Sequence, residues 1–167
     1  MIIISDTTPL HYLILLKKAE LLQKLFSIII IPEAVFTEMQ HEGTPETVRK
    51  WIAFLPAWVQ IKTPSEKHLE KVKELGKGET EAIALAIEVN ADALLMDDRK
   101  AIREARKNNL LVVTTLGILE LAAAKGLIDF SQTLAELAKT NFRLPSDEII
   151  EEFLKRDIER QIKNSKI

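Results

Sequence analysis

Short apolar runs alternate along the chain with segments in which apolar residues recur at helical spacing. The runs are rich in Ile, Leu and Val and are too short for helices, so they predict buried strands. We place these strands at residues 2–5, 28–31, 91–98 and 110–117, with a shorter strand or extended connection at 58–64.

The segments between the strands predict helices. They lie at residues 10–26 (one helix or two short ones), after Pro32, and at 48–55, 64–78, 79–90, 99–109, 117–128, 131–142 and 146–164. Gly76 and Gly78 are predicted to close the polar helix at 64–78, and Ser146 to cap the last one. Strict alternation from Glu79 onward favours right-handed crossovers. The predicted fold class is therefore α/β, with a mostly parallel central sheet in a three-layer α/β/α arrangement.

Length and composition limit the function classes. The chain has 167 residues, 47% of them hydrophobic and 29% charged, which predicts one domain over residues 1–167 with a helical C-terminal segment from about 131 to 167. It has no Cys and three His, so any metal would be held mainly by oxygen. A net charge of -2 gives no overall attraction to nucleic acid. No secretory signal or membrane-length apolar run is evident, so we expect a cytoplasmic protein without a membrane partner.

Acidic residues follow the predicted strands. Ligands of parallel α/β sheets gather outside the carboxyl ends of the strands, where these side chains would meet. Each has a structural interpretation by itself, such as a turn cap, a charge at the start of its own helix, or an ion pair with the next basic residue. The residues are Asp6, Glu38, Glu79, Glu81, Asp97 and Asp98.

Several carboxylates at one sheet edge would raise one another's pKa unless a divalent cation neutralised them. Ligation by oxygen alone favours Mg²⁺ or Mn²⁺, which can polarise a phosphoryl oxygen and lower the pKa of bound water. The motifs of dinucleotide, P-loop, zincin and serine-hydrolase sites are absent, and His11, His41 and His68 are scattered, as expected of packing or surface residues.

With these residues identified, the chain resembles the PIN-domain family, the nuclease fold of many VapC-type toxins, and most of all a PIN subgroup long catalogued as a domain of unknown function. The similarity covers nearly the whole chain, up to NFRLPSDEIIEEFL. Many toxins of the family carry Thr or Ser two residues before the last of their four acidic residues. Leu95 stands at that position here. The motifs are SDTTPL, IPEAVFTEM, GKGETEAIALA, LLMDDRKAIREA and TTLGILELAAAKGLI.

The resemblance implies a metal-dependent ribonuclease, a small antitoxin that holds it inactive, and a homodimer. It implies Asp6, Glu38, Glu81 and Asp97 as catalytic metal ligands. Asp98 and Glu79 are supporting or alternative ligands, and the choices between Asp97 and Asp98 and between Glu79 and Glu81 stay open. Basic residues after the fourth acid would guide RNA phosphates, although such a run is commonly a solvated helix face. They are Arg99, Lys100, Arg103, Arg106 and Lys107.

Two other functions are compatible with the same residues. One is a catalytically inactive PIN scaffold that binds RNA or protein. The other is a phosphatase or phosphotransfer domain in which Asp6 is a nucleophile. The absence of a Lys at the end of the last strand argues against the second.

Overall fold

Five parallel strands form one sheet in the order β3-β2-β1-β4-β5. β1 is central, because Ile4 pairs with Ile30 on one side and with Leu94 on the other. Strands covered on both faces are continuously apolar, as the sequence pattern indicated, and the predicted parallel α/β/α class is confirmed. The strands are β1 (Ile3–Ser5), β2 (Ile29–Pro32), β3 (Val59–Lys62), β4 (Ala93–Leu95) and β5 (Val112–Val113).

The computed structural model describes residues 1–72 and 75–166. Contacts between residues divide the chain into two compact units, Met1–Thr115 and Leu116–Ile167. The first unit holds the sheet and seven helices among its described residues. These are α1 (Thr7–Leu15), α2 (Glu20–Phe26), α3 (Glu33–Met39), α4 (Glu46–Ala53), α5 (Glu66–Leu69), α6 (Lys77–Glu88) and α7 (Arg99–Lys107).

The glycine-flanked segment before α6 differs from the prediction. We expected a polar helix over 64–78 closed by Gly76 and Gly78, but α5 ends at Leu69. Gly76 is instead the N-cap of α6 and Gly78 lies in its first turn. The two glycines therefore begin a helix, and the prediction that they end one was wrong. Residues 73 and 74, inside the predicted helix, lie outside the described residues.

The core of the first unit joins the sheet to the apolar helix α6. Ile4 and Leu94 from the strands are fully buried together with Ala82, Ile83 and Ala84 from the helix. Small alanine side chains let a helix backbone lie close to a sheet, and close packing of this kind resists small displacements. The strands that lead to Asp6 and Asp97 and the helix that carries Glu79 are thus held firmly.

The second unit is helical. It comprises most of α8 (Thr115–Ala124), together with α9 (Phe130–Ala138) and α10 (Asp147–Ser165). Ser146 is at the N-cap of α10, as predicted, but its side chain makes no capping hydrogen bond. Glu120 accepts hydrogen bonds from Arg156 at 2.7 Å and Arg160 at 3.2 Å, which ties α10 to α8 within this unit. The prediction of one domain over residues 1–167 stays a prediction. Among the described residues, every helix is too short or too polar to cross a membrane.

Candidate functional site

A pocket of about 460 Å³ opens beside the carboxyl ends of β1 and β2. Its wall combines three carboxylates, three threonine hydroxyls and one lysine, all from the first unit. The lining residues are Asp6, Thr7, Thr8, Ala34, Thr37, Glu38, Gly76, Lys77, Gly78 and Glu79.

Asp6 is the buried carboxylate of this pocket. Its backbone N–H continues the β1–β4 pairing by donating to the Leu95 carbonyl at 2.9 Å, and its residue surface is only 4% exposed. Although Asp6 occupies the N-cap position of α1, its side chain makes no capping hydrogen bond. The structural role of a helix cap therefore does not account for this residue.

Burial is the main cause that raises the pKa of Asp6 from 3.8 to about 7. The backbone N–H of Thr7 lowers this pKa, whereas the charges of Glu79, Glu38 and Asp97 raise it further. Three other carboxyl groups thus lie within electrostatic range of Asp6. A cation in the pocket would relieve this repulsion.

Glu38 faces Asp6 across the first turn of α6. The hydroxyl of Thr7 donates to Glu38 Oε2 at 3.0 Å. A Cβ on Gly78 would lie 3.0 Å from Glu38 Oε2 and 3.6 Å from Asp6 Oδ1, so both oxygens border the space that this glycine leaves. The pocket depends on the missing side chain at position 78.

Glu79 lies at the rim of the pocket and is only partly buried. Its Oε2 accepts a hydrogen bond from the backbone N–H of Gly76 at 3.2 Å. Burial raises the pKa of Glu79, as do the charges of Asp98 and Glu38, while the Gly76 N–H and Lys100 lower it. Glu79 therefore both caps α6 and faces the pocket.

Glu81 is directed elsewhere. It is 8% exposed and is absent from the pocket lining described above. Its Oε2 accepts a hydrogen bond from the backbone N–H of Ala34, near the start of α3, at 2.9 Å. Of the two acids left open by the sequence, Glu79 is the one at the pocket.

The two acids that follow β4 bind the starts of two different helices. Thr115 donates from its backbone N–H to Asp97 Oδ1 at 2.9 Å and from its hydroxyl to Asp97 Oδ2 at 2.6 Å. Burial raises the pKa of Asp97, and both bonds from Thr115 lower it. Asp98 is exposed and caps α7, its Oδ1 accepting from the Ala101 N–H at 2.9 Å. Asp97 is thus the member of the pair whose charge reaches Asp6.

The predicted basic residues lie on α7, directly after the acidic pair, and are all exposed. Lys107 donates to Glu104 on the same helix at 3.4 Å, so its charge is partly balanced. The five residues, Arg99, Lys100, Arg103, Arg106 and Lys107, form an exposed cationic face that begins next to the acidic pair.

Sequence reasoning missed several polar residues of the site. Lys77 and the hydroxyls of Thr8 and Thr37 line the pocket, and Thr115 holds Asp97. The segment GKGE could have indicated Lys77, because a lysine between two glycines at a helix start projects from an open backbone. Thr115 had no local signal, since its partner lies 18 residues away.

The donor chemistry of the pocket fits a small divalent cation. Among the described residues, no three His, Asp or Glu side chains are arranged as a ready group of metal ligands. Mg²⁺, however, is commonly bound by one or two carboxylates and keeps several waters. Asp6 and Glu38, whose oxygens border one space, match that mode of binding.

The fold and the pocket define a class of protein, in which carboxylates collect at the carboxyl edge of a parallel α/β sheet. A family model described as PIN domain matches residues 2–159, and the chain belongs to the PIN-domain family. PIN domains are generally nucleases that use divalent metal ions, so the family indicates nucleic acid binding.

Among solved structures, the chain is similar to a PilT N-terminus domain protein from the hyperthermophilic archaeon Sulfolobus solfataricus. The identity is 16% and the TM-score 0.46, with 87% of this chain and all of that chain covered. A likeness this weak carries no argument about function. No curated protein sequence matches the chain.

Proposed function

We propose that the chain is a metal-dependent endoribonuclease that hydrolyses RNA phosphodiester bonds with metal-activated water. The observation that carries the proposal is the burial of Asp6 in a pocket that also contains Glu38 and Glu79. A buried carboxylate surrounded by like charges destabilises a fold, and such arrangements are characteristic of functional sites. RNA, a small cognate antitoxin and a second copy of the chain are its proposed partners.

The carboxylates of Asp6 and Glu38 would hold Mg²⁺ or Mn²⁺, with Glu79 at the rim and Asp97 contributing charge behind Asp6. When bound, the cation supplies electrophilic stabilisation of a phosphate and a lowered pKa for water. The Thr7 hydroxyl fixes Glu38 by its 3.0 Å hydrogen bond. Thr8, Thr37 and Lys77 present hydrogen-bond donors to the same pocket and would orient phosphate oxygens.

The exposed cations of α7 would guide the RNA backbone toward this pocket. Their contribution to affinity depends on salt, because binding a phosphate releases condensed counterions. Since the chain carries a net charge of -2, this local face has to overcome an unfavourable overall balance. The choice of RNA over DNA follows the family resemblance of the motifs.

An inactive scaffold that binds RNA or protein is the second candidate. It is favoured by one observation, that no three potential ligands form a ready metal group among the described residues. A nucleophilic Asp6 is disfavoured by the absence of a Lys at the end of the last strand.

Cleavage of an internally labelled RNA separates the two candidates. We expect cutting with Mn²⁺ or Mg²⁺, none in EDTA, and a loss of orders of magnitude in rate for Asp6→Ala and Glu38→Gln. Glu46→Gln is the matched control, because Glu46 is an exposed helix residue paired with Lys50. Equal rates for wild type and Asp6→Ala would identify a contaminating nuclease and favour the scaffold.

The toxin role has its own test. Induced expression of the wild type should arrest growth of a bacterial host, and Asp6→Ala should not. If the enzyme cleaves RNA but its expression leaves growth unchanged, the nuclease proposal stands and the toxin proposal fails.

A further inference from the structure

Glu81 makes a buried contact that a metal ligand would not need. Its Oε2 accepts the 2.9 Å hydrogen bond from the Ala34 N–H, which links α6 to α3 across 47 residues of sequence. We propose that Glu81 is a positioning residue, whose carboxylate fixes the start of α3 and thereby sets Glu38 in the pocket. The inference rests on the proposed function, because it assigns Glu38 to the cation.

The start of α3 requires an acceptor from elsewhere in the fold. The first N–H groups of a helix have no partner within the helix. Pro32 occupies the N-cap of α3 and offers no side-chain acceptor, and no capping hydrogen bond forms there. Ala34 is buried, so water does not readily supply one either. The carboxylate of Glu81 satisfies this N–H and also carries the charge sign that a helix start favours.

The same helix end determines the position of Glu38. Ala34 and Glu38 are four residues apart on α3, so they lie on one face of the helix, and both line the pocket. Because α3 has only seven residues, a shift at its first turn reaches Glu38 directly. The hydrogen bond from Glu81 is therefore a constraint on a pocket carboxylate one turn away.

Glu79 and Glu81 project from different sides of α6, and this explains why their roles differ. Residues two apart on a helix project about 200° apart, so both side chains do not face one site. Glu79 projects to the pocket and Glu81 to α3, while Gly78 between them lets the carboxylates of Asp6 and Glu38 approach. One helix turn thus supplies a pocket residue and the anchor of the facing helix.

Three substitutions at position 81 separate the acceptor from the charge. Glu81→Gln keeps an acceptor oxygen and the length of the side chain but removes the charge. Glu81→Met keeps the length without an acceptor, and Glu81→Asp keeps the charge but is too short for the bond. Glu79→Gln is the matched control on the pocket side of the same turn.

Two measurements are made on each protein, Mn²⁺ affinity by titration calorimetry and hydrogen exchange of the Ala34 amide by NMR. We expect Glu81→Gln to keep both the affinity and the amide protection. Glu81→Met and Glu81→Asp should lose the protection and about 10–100-fold in affinity, as is typical when a residue that orients a ligand is removed. Glu79→Gln should lose affinity with the Ala34 amide still protected.

A loss of affinity in Glu81→Gln as large as in Glu79→Gln, with Ala34 protected, would make Glu81 a ligand and overturn the proposal. Full affinity in Glu81→Asp would overturn it too, and this variant decides the matter if Glu81→Met does not fold. If the wild type binds no Mn²⁺, the proposed function fails. The Ala34 exchange rates and the carboxyl carbon shift of Glu38 then still decide whether Glu81 positions α3.

Discussion

Replacing Asp6 by Asn should stabilise the metal-free protein. The asparagine oxygen still accepts a hydrogen bond, while the buried charge and its repulsion by the other carboxylates disappear. The pKa of Asp6 is raised from 3.8 to about 7, so ionised Asp6 costs on the order of 4 kcal/mol of folding free energy, at about 1.36 kcal/mol per tenfold change in proton affinity. Asp6→Asn should gain an amount of that order at pH 8.

The sign of the pH dependence follows from the same shift. The folded chain binds the Asp6 proton more tightly than the unfolded chain, so stability falls as pH rises. The loss begins near pH 3.8 and is complete above about pH 7. The advantage of Asp6→Asn should therefore be small at pH 4, grow between pH 4 and 7, and level off above that range.

Urea denaturation in EDTA at several pH values measures this difference. Asp129→Asn is the matched control, because Asp129 caps α9 through the Gln132 N–H and asparagine caps a helix equally well. With Mn²⁺ at 100 times its dissociation constant, the wild type should gain about 2.7 kcal/mol, and Asp6→Asn should lose most of that gain. If Asp6→Asn is less stable than wild type in EDTA at pH 8, the negative charge is favourable in the fold and the repulsion argument is wrong.

Four further results are expected. Gly78→Ala should weaken Mn²⁺ binding in calorimetry, because its Cβ would lie 3.0 Å from Glu38 Oε2 and displace that carboxylate. Thr115→Val should lose about 1–3 kcal/mol in denaturation at pH 7, because Asp97 Oδ2 loses its 2.6 Å donor, and Thr115→Ser should restore it. Arg103→Ala should weaken RNA binding and reduce its salt slope by about 1, whereas an unchanged slope would remove α7 from the RNA path. Light scattering at micromolar concentration should give a dimer mass, and a monomer mass would count against self-association.

Three strands of the sheet, β1, β2 and β4, could be predicted because they are buried on both faces. Such strands are continuously apolar, so Ile3–Ser5 and Ala93–Leu95 are visible in the sequence without knowledge of their partners. The acids that follow these strands then meet at one edge by the rule for parallel sheets, as Asp6 and Asp97 do. Position along the chain sufficed for this part of the site.

Which of the two glutamates of α6 faces the pocket could not be predicted in the same way. Glu79 and Glu81 are chemically alike and two residues apart, and only the rotation of the helix against the sheet decides which one faces the pocket. That rotation is set by the packing of Ala82, Ile83 and Leu85 in the core. The family pattern favoured Glu81, whereas the packing places Glu79 at the pocket. The roles of both residues stay to be tested.

Partners distant in sequence were also beyond prediction. Leu95 stands two residues before Asp97, where the family resemblance led us to expect Thr or Ser, and the sequence offers no substitute close by. The hydroxyl of Thr115 reaches Asp97 because β5 lies beside β4 in the sheet, so the end of one strand meets the start of the helix after the other. Strand order, which short-range patterns do not contain, determines this contact.

The central place of β1 also has a consequence for protein synthesis. β1 leaves the ribosome before both of the strands that pair with it, and the hydrogen bond from the Ile2 N–H to Asp92 spans 90 residues. At about 5–20 residues per second, roughly 5–20 s pass between the synthesis of the apolar segment of β1 and that of β4. During that time the edge of β1 is open to chaperones or to other nascent chains. A nascent chain that ends before β4 lacks both the strand that pairs with β1 and the Asp97 charge that acts on Asp6.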